Sequence, residues 1–405
     1  MNSTMFTNPF RPGAGHMPPY LAGREDERKE FSRLLLQETI LENVVLTGLR
    51  GVGKTVLLES LKPIAISKRW HWIGTDLSES TSVSEGSLAT RLLTDLSVVG
   101  SGLVLSETHR LPIGFAGDEE TVTTHLDATT LFEVYTHTPG LVADKLKSVL
   151  ELMWAALQNT DAKGIIFAYD EAQNLSDHAE KEQFPLSLLL DVFQSIQRKG
   201  IPFMLVLTGL PTLFPKLVES RTYTERMFRV LFLSRLSDSE SCDAITKPVE
   251  ANDCPVKLTT ESVSMIAEMS GGYPYFIQFI CREVYDIFVQ HTQAGTQTAI
   301  PADSIVRKLD TDFFSGRWAR ATDRQRELMA VIASLPNSDD EFTTQEVSDR
   351  SKKALLKGFS PSHVNQMLAS LGEQGLIYKN RYGKYSFAVP LFGDFVRRQM
   401  PILAM

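Results

Sequence analysis

Val44-Val45-Leu46-Thr47-Gly48-Leu49-Arg50-Gly51-Val52-Gly53-Lys54-Thr55-Val56 is the stretch from which the rest of the chain can be read. An apolar, β-branched run breaks at Gly48 and, after a glycine-rich loop, gives way to the helix-prone Val56-Leu57-Leu58-Glu59-Ser60-Leu61. This is G-x-x-x-x-G-K-[ST] in the strand, loop and helix setting that a phosphate-binding loop requires. Glycine permits backbone angles that other residues avoid, so successive N–H groups can turn inward around a polyphosphate. The helix that starts near Lys54 adds the positive end of its dipole. The motif therefore predicts a nucleotide cradle made by Gly48, Leu49, Arg50, Gly51, Val52, Gly53, Lys54, Thr55 and Val56. Lys54 would reach the β- and γ-phosphates, and the Thr55 hydroxyl would complete a Mg²⁺ shell.

A second stretch fits the first. Gly164-Ile165-Ile166-Phe167-Ala168-Tyr169-Asp170-Glu171 is a continuous apolar run ending in two acids. Such a run suits a parallel strand buried on both faces. Its C-terminal end is where ligands bind in open α/β sheets. Asp170 is placed to hold Mg²⁺ through its water shell, and Glu171 to orient an attacking water. A further buried strand, Ile201 to Gly209, ends at Thr208, which could touch the γ-phosphate or the lytic water; it could equally be a strand-end turn residue. Ser220 to Arg229 carries Arg221, Arg226 and Arg229 just ahead of a short strand, Val230 to Leu233. Strands alternating with helices predict an α/β core with a parallel sheet.

Working outward, 405 residues are too many for one ordinary core, and two or three domains are expected. No run approaches the roughly 18 apolar residues of a membrane span. Met1 to Gly15 lacks the charged and apolar regions of an export signal. Cys242, Cys254 and Cys281 form no C-x-x-C pair, which argues against a disulfide scaffold or zinc site. A cytoplasmic protein that does not enter membranes is the expectation. The net charge of −8 means that nucleic-acid binding would need a local basic surface.

The Pro- and Gly-rich opening, up to Tyr20, should be extended, and a helix with Phe31, Leu34 and Leu35 on one face follows Leu21-Ala22-Gly23-Arg24-Glu25. His71 to Thr75 reads as a strand, and Leu88 to Leu96 and Leu141 to Leu157 as helices. Between about 98 and 139 the pattern degrades into an irregular insertion, with a strand suggested near Leu131 to Tyr135. Beyond Arg235 come four helical segments, broken sharply at Ser270-Gly271-Gly272-Tyr273-Pro274. From Thr322 the pattern is three helices and a hairpin, the second helix opened by a capping box at Thr343 and Glu346. That is a winged-helix arrangement. The organisation read from the sequence is a base-binding N-terminal segment (1–38), a core (39–235), a helical lid (236–317) and a winged helix (318–405).

Taken in order, these parts resemble the AAA+ P-loop ATPases, in particular their origin-recognition, initiator-like branch and the related archaeal-type and STAND ATPases. The opening Asn8-Pro9-Phe10-Arg11-Pro12-Gly13, with Leu21 to Glu25 and Gly271 to Phe276, also resembles a family of bacterial ATP-binding proteins of about this length. The resemblance implies that Ala22, Gly23 and Arg24 lie by the adenine and that Thr208 is the sensor at its strand end. It also implies that Arg226 or Arg229 is an arginine finger acting on a neighbouring subunit's γ-phosphate. Initiator-type lids usually carry arginine where this chain has Pro274. The Gly-x-Pro form is more like STAND ATPases, whose proline packs near the nucleotide and couples it to the lid.

Together the motifs and the resemblance imply an ATP-binding, slowly hydrolysing switch whose Mg²⁺-ATP state controls the lid, assembly and engagement of double-stranded DNA or a partner. The absence of an Asn-Lys-x-Asp sequence favours ATP over GTP. Alternatives are a non-catalytic DNA-binding regulator with ATP as a structural ligand, or a signalling or defence scaffold with a separate effector protein. Glu171 speaks against the first alternative. For DNA, Ser362, His363, Asn365 and Gln366 would lie on the helix that enters a major groove, with Lys379, Arg381 and Lys384 on the wing. Yet from Thr322 to Pro401 eleven Lys and Arg stand against nine Asp and Glu, a weak footprint for phosphate neutralisation.

Overall fold

In the computed structural model the described residues are 7–400, apart from 14, 38, 111–119, 252–256, 295–300, 339 and 382. They form two compact units. One comprises Asp26–Thr47 and Leu57–Phe232; the other comprises Met1–Glu25, Gly48–Val56 and Leu233–Met405.

The first unit is built on a five-stranded sheet. Its strands are β1 (Asn43–Gly48), β2 (Trp70–Ile73), β5 (Gly164–Tyr169), β6 (Phe203–Gly209) and β7 (Phe228–Leu233), in the order β2-β5-β6-β1-β7. A separate antiparallel pair, β3 (Val104–Arg110) and β4 (Glu120–His125), lies between β2 and β5 in the sequence. Register sets Val45 beside Leu207 and Phe167 beside Leu205, both in parallel pairs. Every residue of β1, β5 and β6 is buried, as suits their largely apolar sequences, with Asn43, Thr47 and Thr208 as the buried polar residues. Phe167 meets Phe193 of the helix Pro185–Arg198 edge to face, with ring centroids 4.9 Å apart. At the start of β1, buried Asn43 accepts the Leu205 N–H at 2.8 Å, donates to Met227 O at 3.3 Å and pairs with the Gln197 amide.

The insertion is more regular than its sequence suggests. Leu131 to Tyr135 is helical, within Ala128–His137, and not the strand its composition suggests. Local β-branched composition is outweighed by the Asp127 cap, which accepts the Thr130 N–H at 2.9 Å, and by burial of Leu131. Pro112, Gly114 and Gly117 lie outside the described residues.

The second unit contains the helices Asp238–Ala251, Thr260–Ser270, Pro274–Ala294 and Ala302–Leu309, the last continuing through a π turn over Asp310–Phe314. The winged helix follows, with Asp323–Ala333, Thr344–Ala354 and Pro361–Glu373. Its sheet joins β8 (Phe342–Thr343), β9 (Ile377–Arg381) and β10 (Lys384–Phe387) in the order β8-β10-β9. The capping box at Thr343 and Glu346 is present. A closing helix, Phe392–Gln399, is an addition to the expected pattern; its Phe395 lies 5.2 Å from the Phe314 ring, so the lid and winged helix share one apolar core. The N-terminal segment belongs to the same unit. Phe10 is buried, Asn8 Nδ2 donates to Asp286 Oδ1 at 2.8 Å, and the Arg11 N–H donates to Gln278 Oε1 at 3.1 Å.

Candidate nucleotide site

The phosphate loop follows β1 directly and ends in the helix Lys54–Ser67. Gly51 and Gly53 have φ of 81° and 89°, in the left-handed region that favours glycine. A Cβ built on Gly53 would meet nothing within 4 Å. The loop's carbonyls are used: Gly51 O accepts the Tyr275 N–H at 3.1 Å, and Val52 O accepts Arg24 Nη2 at 3.0 Å. Its donors are not: among the described residues the backbone N–H groups of Arg50, Gly51, Val52 and Gly53 make no hydrogen bond. Lys54 Nζ donates to the carbonyls of Gly48 and Leu49, at 3.1 and 3.0 Å. Consecutive unpaired N–H groups, an ammonium and a helix N-terminus are the parts from which anion-binding concavities are built.

Residues distant in sequence converge on this loop within the second unit. Pro274 is the first residue of its helix, which places the Tyr275 N–H on Gly51. A Cβ on Gly48 would lie 2.5 Å from Leu233 O, so the close approach there requires glycine. Arg24, 5% exposed, donates through Nη2 to both Val52 O and, at 2.9 Å, Ser234 O. Its guanidinium thus clamps the loop to the start of the lid, a role that spacing alone does not reveal. Ala22 is buried, and a Cβ on Gly23 (φ 62°) would strike the Glu240 carboxylate. A Cβ on Gly375, just before β9, would stand 3.3 Å from Arg50 Nη2.

The strand ends of the first unit hold the acids. β1 and β5 both flank β6 in parallel, so all three end at one sheet edge. Asp170, 4% exposed, accepts the Glu171 N–H through Oδ1 at 2.8 Å, and its carbonyl accepts the Leu77 N–H. A Cβ on Gly74 would fall 1.9 Å from Ala168 O, so only glycine lets this crossing chain run so close. Glu171 is exposed and left-handed (φ 51°), and its carboxylate accepts a hydrogen bond from Gln173 Nε2. Thr208 is fully buried, yet neither its Oγ1 nor that of Thr47 has a partner among the described residues.

The arginines divide by environment. Arg221 forms a two-pronged pair with Asp191, at 2.9 and 2.7 Å, and Tyr223 OH donates to the same carboxylate at 2.6 Å. Burial acts to raise the Asp191 pKa, but the Arg221 and Tyr223 hydrogen bonds and the Arg221 charge outweigh it and hold it below the usual value. Arg229 Nε lies 3.1 Å from Glu30 and 3.7 Å from Glu42, without the alignment of a hydrogen bond. Arg226 is exposed and has no ion pair among the described residues.

On the winged helix, Val364, Met367, Leu368 and Leu371 are buried, while Ser362, His363, Asn365 and Gln366 are exposed. Asn365 Oδ1 accepts Thr344 Oγ1 at 2.6 Å. Lys379 is exposed and Lys384 half-buried; Arg381 ends β9, and its side chain lies outside the described residues, as does Tyr382. No described helix is long and apolar enough to cross a membrane, and no described group of three or more His, Cys, Asp or Glu could hold a metal alone.

Residues 311–396 match a family model described as a domain of unknown function (DUF8462). No curated protein sequence matches the chain. Among solved structures it is similar to the Walker-type ATPase PABY2304 of Pyrococcus abyssi, at 14% identity and a TM-score of 0.57, over 93% of this chain and 96% of that one. It is similar also to the ORC2 protein of Aeropyrum pernix in its ADPNP-ADP complexes, at 12% identity and a TM-score of 0.55, over 97% and 96% of the two chains. The same protein in its ADP form gives 15% identity and a TM-score of 0.54, with the same coverage. The likeness is one of fold: an α/β P-loop core of AAA+ type with a parallel sheet, followed by an all-helical lid and a C-terminal winged helix.

Proposed function

We propose that the chain is an ATP-binding and ATP-hydrolysing switch whose nucleotide state sets the lid and winged helix. The observation that carries this is the run of unpaired N–H groups from Arg50 to Gly53, on a loop whose carbonyls are already held by Tyr275 and Arg24. Such a loop offers only its donor side to an anion, and an occupant there acts on residues fixed to the lid. Thr55 and Asp170 suit Mg²⁺, which takes few protein oxygens beside phosphate and water. The ion would neutralise charge on the phosphates.

For hydrolysis, Lys54 exchanges the Gly48 and Leu49 carbonyls for the β- and γ-phosphates. Glu171 orients the water for in-line attack and accepts its proton. Thr208, a buried hydroxyl without a partner among the described residues, donates to the γ-phosphate or positions the water. Ala22, Gly23 and Arg24 line the base side, where Arg24 acts mainly by fixing the loop. Arg226, exposed and without an ion pair among the described residues, suits an arginine finger in trans better than Arg229, which faces Glu30 and Glu42. Pro274 at the loop contact supports a STAND-like coupling of nucleotide to lid. The polar face of Pro361–Glu373, with Lys379 and Lys384, is the surface offered to double-stranded DNA; a second copy or an effector protein is the other partner considered.

Light scattering without nucleotide, with ADP and with a non-hydrolysable ATP analogue tests the switch, with Glu171→Gln plus ATP alongside and duplex DNA added to each. Assembly or DNA retention confined to the ATP state supports it. The same mass and the same salt-dependent DNA retention in every state would refute it.

A further inference from the structure

We propose that Gln173 is a positioning residue that fixes the Glu171 carboxylate to the chain leaving β6; this rests on the hydrolytic reading above. Among the described residues the Gln173 amide is the one hydrogen-bond partner of the Glu171 carboxylate. The same side chain accepts the Leu210 N–H through Oε1 at 3.1 Å. Its backbone is held as well, because Lys216 Nζ donates to Gln173 O at 2.6 Å.

The polarity of this bridge is determined. Leu210 presents an N–H, which needs an acceptor, and Glu171 presents a carboxylate, which needs a donor. A flipped amide would face NH₂ to N–H and carbonyl to carboxylate, losing both bonds. Only a side chain with one donor and one acceptor on a two-carbon stem satisfies both ends. The contact with β6 is close: a Cβ on Gly209 would stand 2.6 Å from Gln173 Oε1. Glu171 is itself in the left-handed region, where a non-glycine residue needs support from its surroundings. Leu210 lies two residues after Thr208, so one amide joins the water-orienting acid to the strand that carries the buried, unpartnered hydroxyl. A shift at Thr208 is thereby passed to Glu171.

Two variants separate the ends. Gln173→Glu keeps an acceptor for Leu210 but sets a second carboxylate against Glu171, and Gln173→Leu removes both bonds. Full-length protein is assayed for single-turnover rate and steady-state kcat, with the dissociation constant for ATP measured separately. We expect both variants to lower kcat by about 10–100-fold, the cost of misplacing a reacting group. The ATP dissociation constant should stay within about twofold, since the residue acts through Glu171 and not on the nucleotide. In a Glu171→Gln background, adding Gln173→Leu should change the residual rate no further, because residues that act as a unit are non-additive. Wild-type kcat retained in Gln173→Glu, or an equal fall in both Glu171 backgrounds, overturns the proposal and leaves the ATPase reading standing. Wild-type turnover no greater than that of Lys54→Ala overturns the ATPase reading and the proposal with it.

Discussion

Replacing Arg24 should loosen the phosphate loop without touching a residue of the loop itself. Arg24 is 5% exposed, and its Nη2 donates to Val52 O at 3.0 Å and Ser234 O at 2.9 Å. Hydrogen bonds from a charged donor contribute roughly 1.5–3 kcal/mol each, and the buried Val52 carbonyl and the partly buried Ser234 carbonyl both lose this donor when it goes. Arg24→Met keeps the apolar stem and should therefore cost about 3–5 kcal/mol of stability, with partial relief if water enters. Arg24→Lys is the sharper test. A lysine keeps the charge and has donors enough, but its Nζ ends one bond short of the place of Arg24 Nη2, so it cannot reach both carbonyls as the guanidinium does. More than half of the loss should remain. Urea unfolding followed by circular dichroism gives the stability, and calorimetric titration gives nucleotide affinity. If about 1.4–2.8 kcal/mol of the loss falls on the loop's ordered state, the dissociation constant for ATP rises about 10–100-fold. An Arg24→Lys protein within about 0.5 kcal/mol of wild type, with unchanged affinity, would refute the clamp, because that is the scatter of an ordinary surface change.

Other substitutions probe separate parts. Gly53→Ala meets no protein atom but forces a φ of 89° on alanine; unfolding should cost about 1–2 kcal/mol while calorimetry shows a much larger loss of ATP affinity, since the methyl enters the cradle. Arg226→Ala should remove turnover that depends on protein concentration and leave the unfolding midpoint in place, whereas Arg229→Ala should act on the midpoint through Glu30 and Glu42. Asp191 has a depressed pKa when folded, so its contribution is present above the unfolded value of about 3.9 and is lost as pH falls through the lower folded value. The stability gap between wild type and Asp191→Asn, followed by urea titration from pH 7 downward, should thus hold to about pH 5 and close below it.

The elements that were legible in the sequence are those whose own residues settle their structure. β5, and β6 as far as Thr208, are apolar throughout, which suits a strand covered on both faces, and both are wholly buried. The glycines of the phosphate loop announce backbone angles, and Gly51 and Gly53 adopt them. The capping residues Thr343 and Glu346 give the helix start by local hydrogen bonds alone. Where partners are remote, sequence reading fails. Leu131 to Tyr135 looks strand-like in isolation, but burial of Leu131 and the Asp127 cap make it helical. Phe392–Gln399 is a short helix whose aromatic residues gain meaning only against the remote rings of Phe314, Trp318 and Phe387. Gln173 carries no motif, and its importance depends on Leu210, 37 residues further along.

Arg24 and the phosphate loop give the most instructive case. By chain order residues 48–56 belong with the strand before them and the helix after them, yet by contact they belong with the lid and winged helix. Each tie has a local cause: the Gly48 backbone fits against Leu233 O, Gly51 O receives the Tyr275 N–H, Val52 O receives Arg24, and Arg50 reaches Gly375. None of these uses a loop N–H. A loop held by its carbonyls and side chains keeps its donors available, so anion binding does not compete with the contacts that fix the lid. The two can only reinforce or strain one another through the loop's own backbone, and that is the physical requirement for a nucleotide to act as a switch. Gly375→Ala tests this coupling from its far end. Alanine at φ 68° strains the winged helix by about 1–2 kcal/mol and presses a methyl toward Arg50, leaving every residue of the cradle unchanged. Weakened ATP binding in that variant would mean the winged helix and the loop share one equilibrium. Unaltered affinity alongside the expected loss of stability would mean that they do not.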